Sequence, residues 1–176
     1  TEVLARALVQ WGIDATLDRL EGMWAFAFYN KNSGDLYLCR DRFGEKPLYF
    51  SNQNDGIYFS SETKSLFQLL GRRLDFNFDQ IHRYLINGYK SIYKHNSTFY
   101  NEVQEVRQGQ WVKINKDLKL TVGTYWKPNL KVNETLNYMD SVEKVREDLR
   151  RSVSLRLRSD VPIAFCMSGG IDSNAL

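Results

Sequence analysis

Trp24-Ala25-Phe26-Ala27-Phe28, then the turn Asn32-Ser33-Gly34-Asp35, then Leu36-Tyr37-Leu38-Cys39, is the stretch that decides how this 176-residue chain folds. Two short apolar runs around a Gly-containing turn predict an antiparallel hairpin, because glycine accepts the positive φ of a tight turn. In the first run large side chains alternate with alanine rather than with polar residues. That pattern predicts a strand buried on both faces, with a further layer on each side of its sheet. Upstream, Val3, Leu4, Ala7, Leu8 and Trp11 recur at helical spacing, Gly12 stops that helix, and a second short helix is expected over residues 15–20. Downstream, strands are expected at 48–51 and 57–60, joined through Asn54-Asp55-Gly56, with helices at 62–70 and 78–86. Residues after Gly88 read as irregular, and late strands follow at 110–114 and 118–125. Hairpins with helices set apart from them make this an α+β unit.

Residues 128–137 carry few large apolar side chains and read as a linker. Beyond them Val142, Val145, Leu149, Val153 and Leu157 mark an amphipathic helix of about five turns. Glu147 and Arg151 are spaced to pair on its outer face. Arg150, Arg151, Arg156 and Arg158 read as a solvated face. An apolar run, 161–167, is expected to contain a strand at 163–167. It leads into Ser168-Gly169-Gly170-Ile171-Asp172-Ser173, with a helix opening at Asp172. Adjacent glycines let backbone amides turn toward a polyphosphate, and the first turn of a helix offers it unpaired N–H groups. Ser168 and Ser173 add hydroxyl donors. Asp172 would repel phosphate directly, so its role is to hold Mg²⁺ bridging phosphate oxygens. The spacing is not that of a Walker loop, and no lysine follows the glycines.

Composition bounds the rest. A hydrophobic fraction of 43% with 14% aromatics argues for a packed core and against disorder, and a net charge of +3 gives no case for a nucleic-acid or membrane-surface partner. No apolar stretch approaches the ~20 residues that span a bilayer. Cys39 and Cys166 both lie in apolar segments and are expected to be buried, reduced thiols. His82 and His95 are far apart and have no ligand-spaced partners, so no structural metal site is expected.

The loop at 168–173 resembles the pyrophosphate-binding loop of enzymes that cleave ATP between its α and β phosphates. Two earlier stretches narrow the choice: Leu20-Glu21-Gly22-Met23-Trp24-Ala25-Phe26-Ala27-Phe28-Tyr29 and Arg40-Asp41-Arg42-Phe43-Gly44-Glu45-Lys46-Pro47-Leu48-Tyr49-Phe50. With Ser60-Ser61-Glu62-Thr63-Lys64-Ser65-Leu66 and Arg158-Ser159-Asp160-Val161-Pro162-Ile163, they resemble the glutamine-hydrolysing asparagine synthetase family. The resemblance covers nearly the whole chain and is weakest between residues 89 and 137. It implies an incomplete N-terminal-nucleophile-type layered α/β sandwich, a class II glutamine amidotransferase domain, at 1–127. It further implies a linker at 128–137 and, at 138–176, the first strand-loop-helix of an α/β adenine-nucleotide domain.

In that family a cysteine nucleophile releases ammonia from glutamine, and a second site uses ATP and Mg²⁺ to adenylate aspartate and amidate it to asparagine. The resemblance therefore implies a cytoplasmic ligase whose small-molecule partners are glutamine, aspartate and ATP, and, by analogy, a homodimer. Carried over residue by residue, Ser168, Gly169, Gly170 and Ser173 contact the pyrophosphate part of ATP, Ile171 supplies a backbone amide, and Asp172 holds the magnesium. Cys166 stands against the adenosine where leucine is usual, and Asn174 replaces a frequent serine. The nucleophilic cysteine, the Asn-Gly oxyanion element and the substrate arginine would fall upstream of Thr1. The chain is accordingly expected to be an internal fragment with no catalytic residue of its own, inactive as it stands. A related reading keeps the chemistry and changes the acceptor to a uronic acid or another carboxylate of surface-polysaccharide synthesis. Within the family strings, Asp41 suits backbone N–H groups or Arg42, Gly44 and Pro47 shape a turn, and Met23 is expected to pack in the core.

Overall fold

A computed structural model describes residues 1–175. It divides into two compact units, Thr1–Pro128 and the stretch from Asn129 onward.

The first unit opens with α1 (Glu2–Arg19), which is two helices in one: Gly12 sits at φ 74°, ψ −179° and breaks the helical run. Both helices expected from the periodicity are therefore present, joined at Gly12. Seven strands follow, all antiparallel. β1 (Ala25–Asn30) and β2 (Asp35–Arg40) form the first hairpin, with Ala25 opposite Arg40 and Asn30 opposite Asp35. β3 (Tyr49–Gln53) and β4 (Gly56–Ser60) form the second. After α2 (Thr63–Leu70) and α3 (Phe78–Asn87) comes a 3₁₀ segment, Tyr89–Lys94. β5 (Gln104–Glu105), β6 (Gln110–Ile114) and β7 (Leu120–Thr124) complete the unit. Helix ends follow their local chemistry. Asn77 accepts from the Gln80 N–H at the start of α3, and Gly71, at φ 64°, closes α2 in the left-handed region.

Strand order is β1-β2-β6-β7 in one sheet and β4-β3-β5 in the other. Leu38 of β2, Phe50 of β3, and Val112 and Ile114 of β6 share one buried cluster with Leu48 and Val106, so the two sheets pack face to face. The opposite face of the larger sheet meets α1, where Trp111 donates its Nε1–H to Asp14 at 3.2 Å. On the smaller sheet, Tyr49 and Tyr58 pack with Leu66 and Phe67 of α2. The layering is thus helix, sheet, sheet, helix, an α+β sandwich.

Burial on both faces holds for β2 but not for β1. Ala27 is exposed and Tyr29 is 57% exposed. β1 is the outermost strand of its sheet, and no described element covers that end of its face.

The second unit is α4 (Tyr138–Arg156), capped by Asn137 accepting from the Asp140 N–H, and α5 (Ile171–Ala175). The arginines at 150, 151, 156 and 158 are solvated as expected. Ion pairs on α4 are Lys144–Asp148 and Arg146–Glu143, rather than one between Glu147 and Arg151. The strand expected at 163–167 does not form. A strand exists only against a neighbour's backbone, all seven strands pair within the first unit, and Ile163, Phe165 and Met167 stay exposed.

Candidate functional site

Two loops hold the residues singled out by the sequence. The first connects β2 to β3. Asp41 is fully buried, and its Oδ1 accepts from the N–H groups of Phe43 (3.1 Å) and Glu45 (3.0 Å). Its Oδ2 accepts from Lys46 (3.0 Å) and Trp24 (3.3 Å). Burial by itself raises the carboxyl's pKa, but these four donors outweigh it and hold Asp41 below the ordinary carboxylate range. Of the two roles open to Asp41, the backbone acceptor is the one formed. Arg42 turns away and donates Nη2–H to the Asp18 carbonyl at 2.8 Å.

Arg40 threads the same loop. Its guanidinium donates to the carbonyls of Lys46 (2.7 Å), Gly44 (2.7 Å) and Val106 (2.8 Å), and to the Glu105 carboxylate (2.5 Å). Gly44 has φ 67°, and a Cβ there would come within 3.1 Å of that guanidinium, so turn and close approach both require glycine. Tyr125 donates its hydroxyl to the Arg40 carbonyl at 2.7 Å, and burial pushes its phenol well up. The Tyr125 ring stacks on Trp24 at 5.9 Å. The sequence reading did not single out Arg40, Glu105 or Tyr125. One signal was available: an arginine closing an apolar strand needs partners if it is buried. Glu105, 65 residues away, had none. Met23, expected in the core, is 56% exposed. Gly22 turns the chain at φ 96°, and Asp41 grips Trp24, leaving Met23 on the outside of the bend.

The second loop is 168–173. Gly169 takes φ 78°, a conformation that favours glycine. Ser168 Oγ lies 3.1 Å from Ser173 Oγ and accepts from the Gly170 N–H at 3.4 Å. Ser173 and Asn174 both donate to the Gly170 carbonyl, at 3.1 and 2.8 Å. The two serines, Gly170 and Asn174 are therefore drawn together. Asp172 lies in the first turn of α5, and Ile171, one residue before it, is 88% exposed. Cys166 is exposed, against the expectation of a buried thiol, because the unformed strand around it has no layer above it. Cys39 is buried, and burial pushes its thiol far up, as expected of an inert core cysteine.

Among the described residues no group of three or more His, Cys, Asp or Glu could hold a metal. The loop nonetheless offers hard oxygen donors: one carboxylate, Asp172, and two hydroxyls. That set fits Mg²⁺, which commonly takes one or two carboxylates and completes its shell with phosphate and water, and does not fit an all-protein cage.

The family model for the glutamine amidotransferase domain matches residues 1–126, the whole of the layered unit almost to its boundary. The chain belongs to the glutamine amidotransferase domain family. A second model, asparagine synthase, matches residues 144–176, beyond the amidotransferase unit. Asparagine synthetase (glutamine-hydrolyzing) 1 of Bacillus subtilis is 36% identical over 99% of this chain and 27% of its own length. Asparagine synthetase (glutamine-hydrolyzing) 2 of the same organism is 32% identical over 99% of the chain and 24% of its own length. The chain thus spans about a quarter of the length of these curated relatives. A solved glutamine phosphoribosylpyrophosphate amidotransferase from B. subtilis, complexed with ADP and GMP, is similar with TM-score 0.47 at 19% identity. That likeness covers 76% of this chain and 23% of the other.

Proposed function

We propose that the chain is part of a glutamine-dependent, ATP-consuming asparagine synthetase. The observation that carries this reading is the tandem of matches: an amidotransferase model at 1–126 and an asparagine synthase model at 144–176 in one chain. The domain assignment that goes with it is amidotransferase at 1–127, linker at 128–137 and the opening of the ATP-binding domain at 138–176.

Glutamine supplies ammonia in the first domain. In the second, ATP would activate the aspartate side-chain carboxylate by transfer of its adenylyl group, with pyrophosphate leaving, and ammonia would then attack the activated carbonyl and displace AMP to give the amide. The residues of this chain act at the phosphate end. Gly169, Gly170 and Ile171 present backbone N–H groups to the pyrophosphate part, and the hydroxyls of Ser168 and Ser173 donate to it. Asp172 would hold Mg²⁺, which would offset phosphate charge, and Cys166 would lie toward the adenosine. Hydrogen bonds draw Ser168, Gly170, Ser173 and Asn174 into one turn, and on nucleotide binding the Gly170 N–H and the Ser173 hydroxyl would exchange these internal partners for phosphate oxygens. Among the described residues no helix is long and apolar enough to cross a membrane. Cytoplasmic location and a homodimer complete the proposal.

The test uses the full-length protein with aspartate, ATP and glutamine. Asparagine, AMP and pyrophosphate should form in equal amounts. Asp172→Ala should abolish pyrophosphate release and spare ammonia release from glutamine. Absence of asparagine with the unaltered protein refutes the reading, and unchanged pyrophosphate release in the variant refutes the role given to Asp172.

A further inference from the structure

The amidotransferase unit carries a cleft of about 310 Å³ where three loops meet: Arg42 and Phe43 after β2, residues 107–110 before and into β6, and residues 124–128 at the end of β7. Its volume lies at the lower end of the range usual for small-molecule sites. No acidic residue lines it, whereas Arg42, Arg107 and Lys127 do. Lys127 makes no ion pair among the described residues, whereas the Arg42 guanidinium already donates Nη2–H to the Asp18 carbonyl at 2.8 Å. Phe43 and Trp126 meet edge to face at 5.1 Å and form an aromatic wall, while Gln108 and Thr124 add neutral polar groups.

The cleft is also held in shape. The Gly109 N–H donates to the Asp41 carbonyl at 2.9 Å, and the Gly109 carbonyl accepts from the N–H groups of Tyr125 (3.0 Å) and Trp126 (3.2 Å). Two of the three loops are thereby tied to one glycine. A lysine without an ion pair beside an aromatic wall, in a lining that holds no carboxylate, suits a ligand with a negative head and a flat body.

We propose that this cleft binds a small anion, a carboxylate or phosphate carried on an unsaturated ring, with Lys127 taking the charge and Trp126 the ring. Nothing in the synthetase reading requires it, and its test is independent of ATP turnover. Phenyl phosphate and benzoate are titrated separately into the full-length protein at constant ionic strength, followed by tryptophan fluorescence. At least one should saturate, bound about tenfold more tightly than inorganic phosphate or the uncharged benzamide, the margin expected for a lost ring contact or charge. The tighter of the two identifies the head group as phosphate or carboxylate. Lys127→Met, a surface change that leaves the fold intact, should weaken binding about tenfold, and Lys127→Arg should restore most of it. Absence of saturation with both probes, or the same affinity in Lys127→Met as in the unaltered protein, overturns the proposal.

Discussion

Asp41→Asn isolates the contribution of one buried charge to the architecture of the amidotransferase unit. In the native loop Oδ1 accepts from Phe43 and Glu45, and Oδ2 from Lys46 and Trp24. Asparagine keeps one acceptor oxygen and puts an NH₂ donor where the other was. Whichever way it turns, two backbone N–H groups then face a donor instead of an acceptor. Each lost bond to a charged acceptor is worth about 1.5 kcal/mol or more, so the loop should lose about 3 kcal/mol. At 1.4 kcal/mol per factor of ten, local opening should become about a hundredfold more frequent. Hydrogen exchange read by mass spectrometry on the peptide spanning Arg40 to Lys46 measures this directly. Asp41→Ala, which removes both acceptor oxygens and with them all four bonds, should be worse than Asp41→Asn. The pH dependence adds a check. The pKa of Asp41 is lowered in the fold, so its stabilisation is complete above the unfolded value of about 3.9 and is lost as pH falls through the folded value. Wild type and variant should therefore differ fully at neutral pH and converge only in acid below the ordinary carboxylate range. Exchange at neutral pH that is the same in Asp41→Asn as in wild type would refute the reasoning.

Gly109→Ala should destabilise the unit by about 2–4 kcal/mol, because φ is 65° and the new Cβ would lie 2.5 Å from the Trp126 carbonyl oxygen. Gly71→Ala, at φ 64° with open space around it, should cost only about 1–2 kcal/mol, so thermal unfolding of the pair separates collision from backbone strain. In the 176-residue chain a thiol reagent such as Ellman's should titrate Cys166 at once and Cys39 only after unfolding, and two fast thiols would contradict the burial of β2.

Much of the unit was legible along the chain, because the deciding forces there are local. Turn glycines and alternating apolar residues located both hairpins, and helical periodicity located α1 with its break at Gly12, α2, α3 and α4. The strings around Met23 and Asp41 fall within the amidotransferase match, and the string around Ser168 falls within the asparagine synthase match. Other features depend on partners far away in sequence, and no local pattern specifies them. β2 pairs with β6 across about 75 residues, and the two-residue β5 exists only because β3 lies beside it. Arg40 is tolerable in a buried position only because Glu105 and Val106 fold back to it. The same dependence explains the misses. β1 has apolar residues on both faces, yet burial needs a covering layer, and the run at 163–167 has strand composition without a neighbouring strand. Residue order by itself determined which segments prefer helix, strand or turn, and which residues of the 168–173 loop sit together. Tertiary structure decided which segments find partners, since pairing and burial are properties of what lies alongside in space.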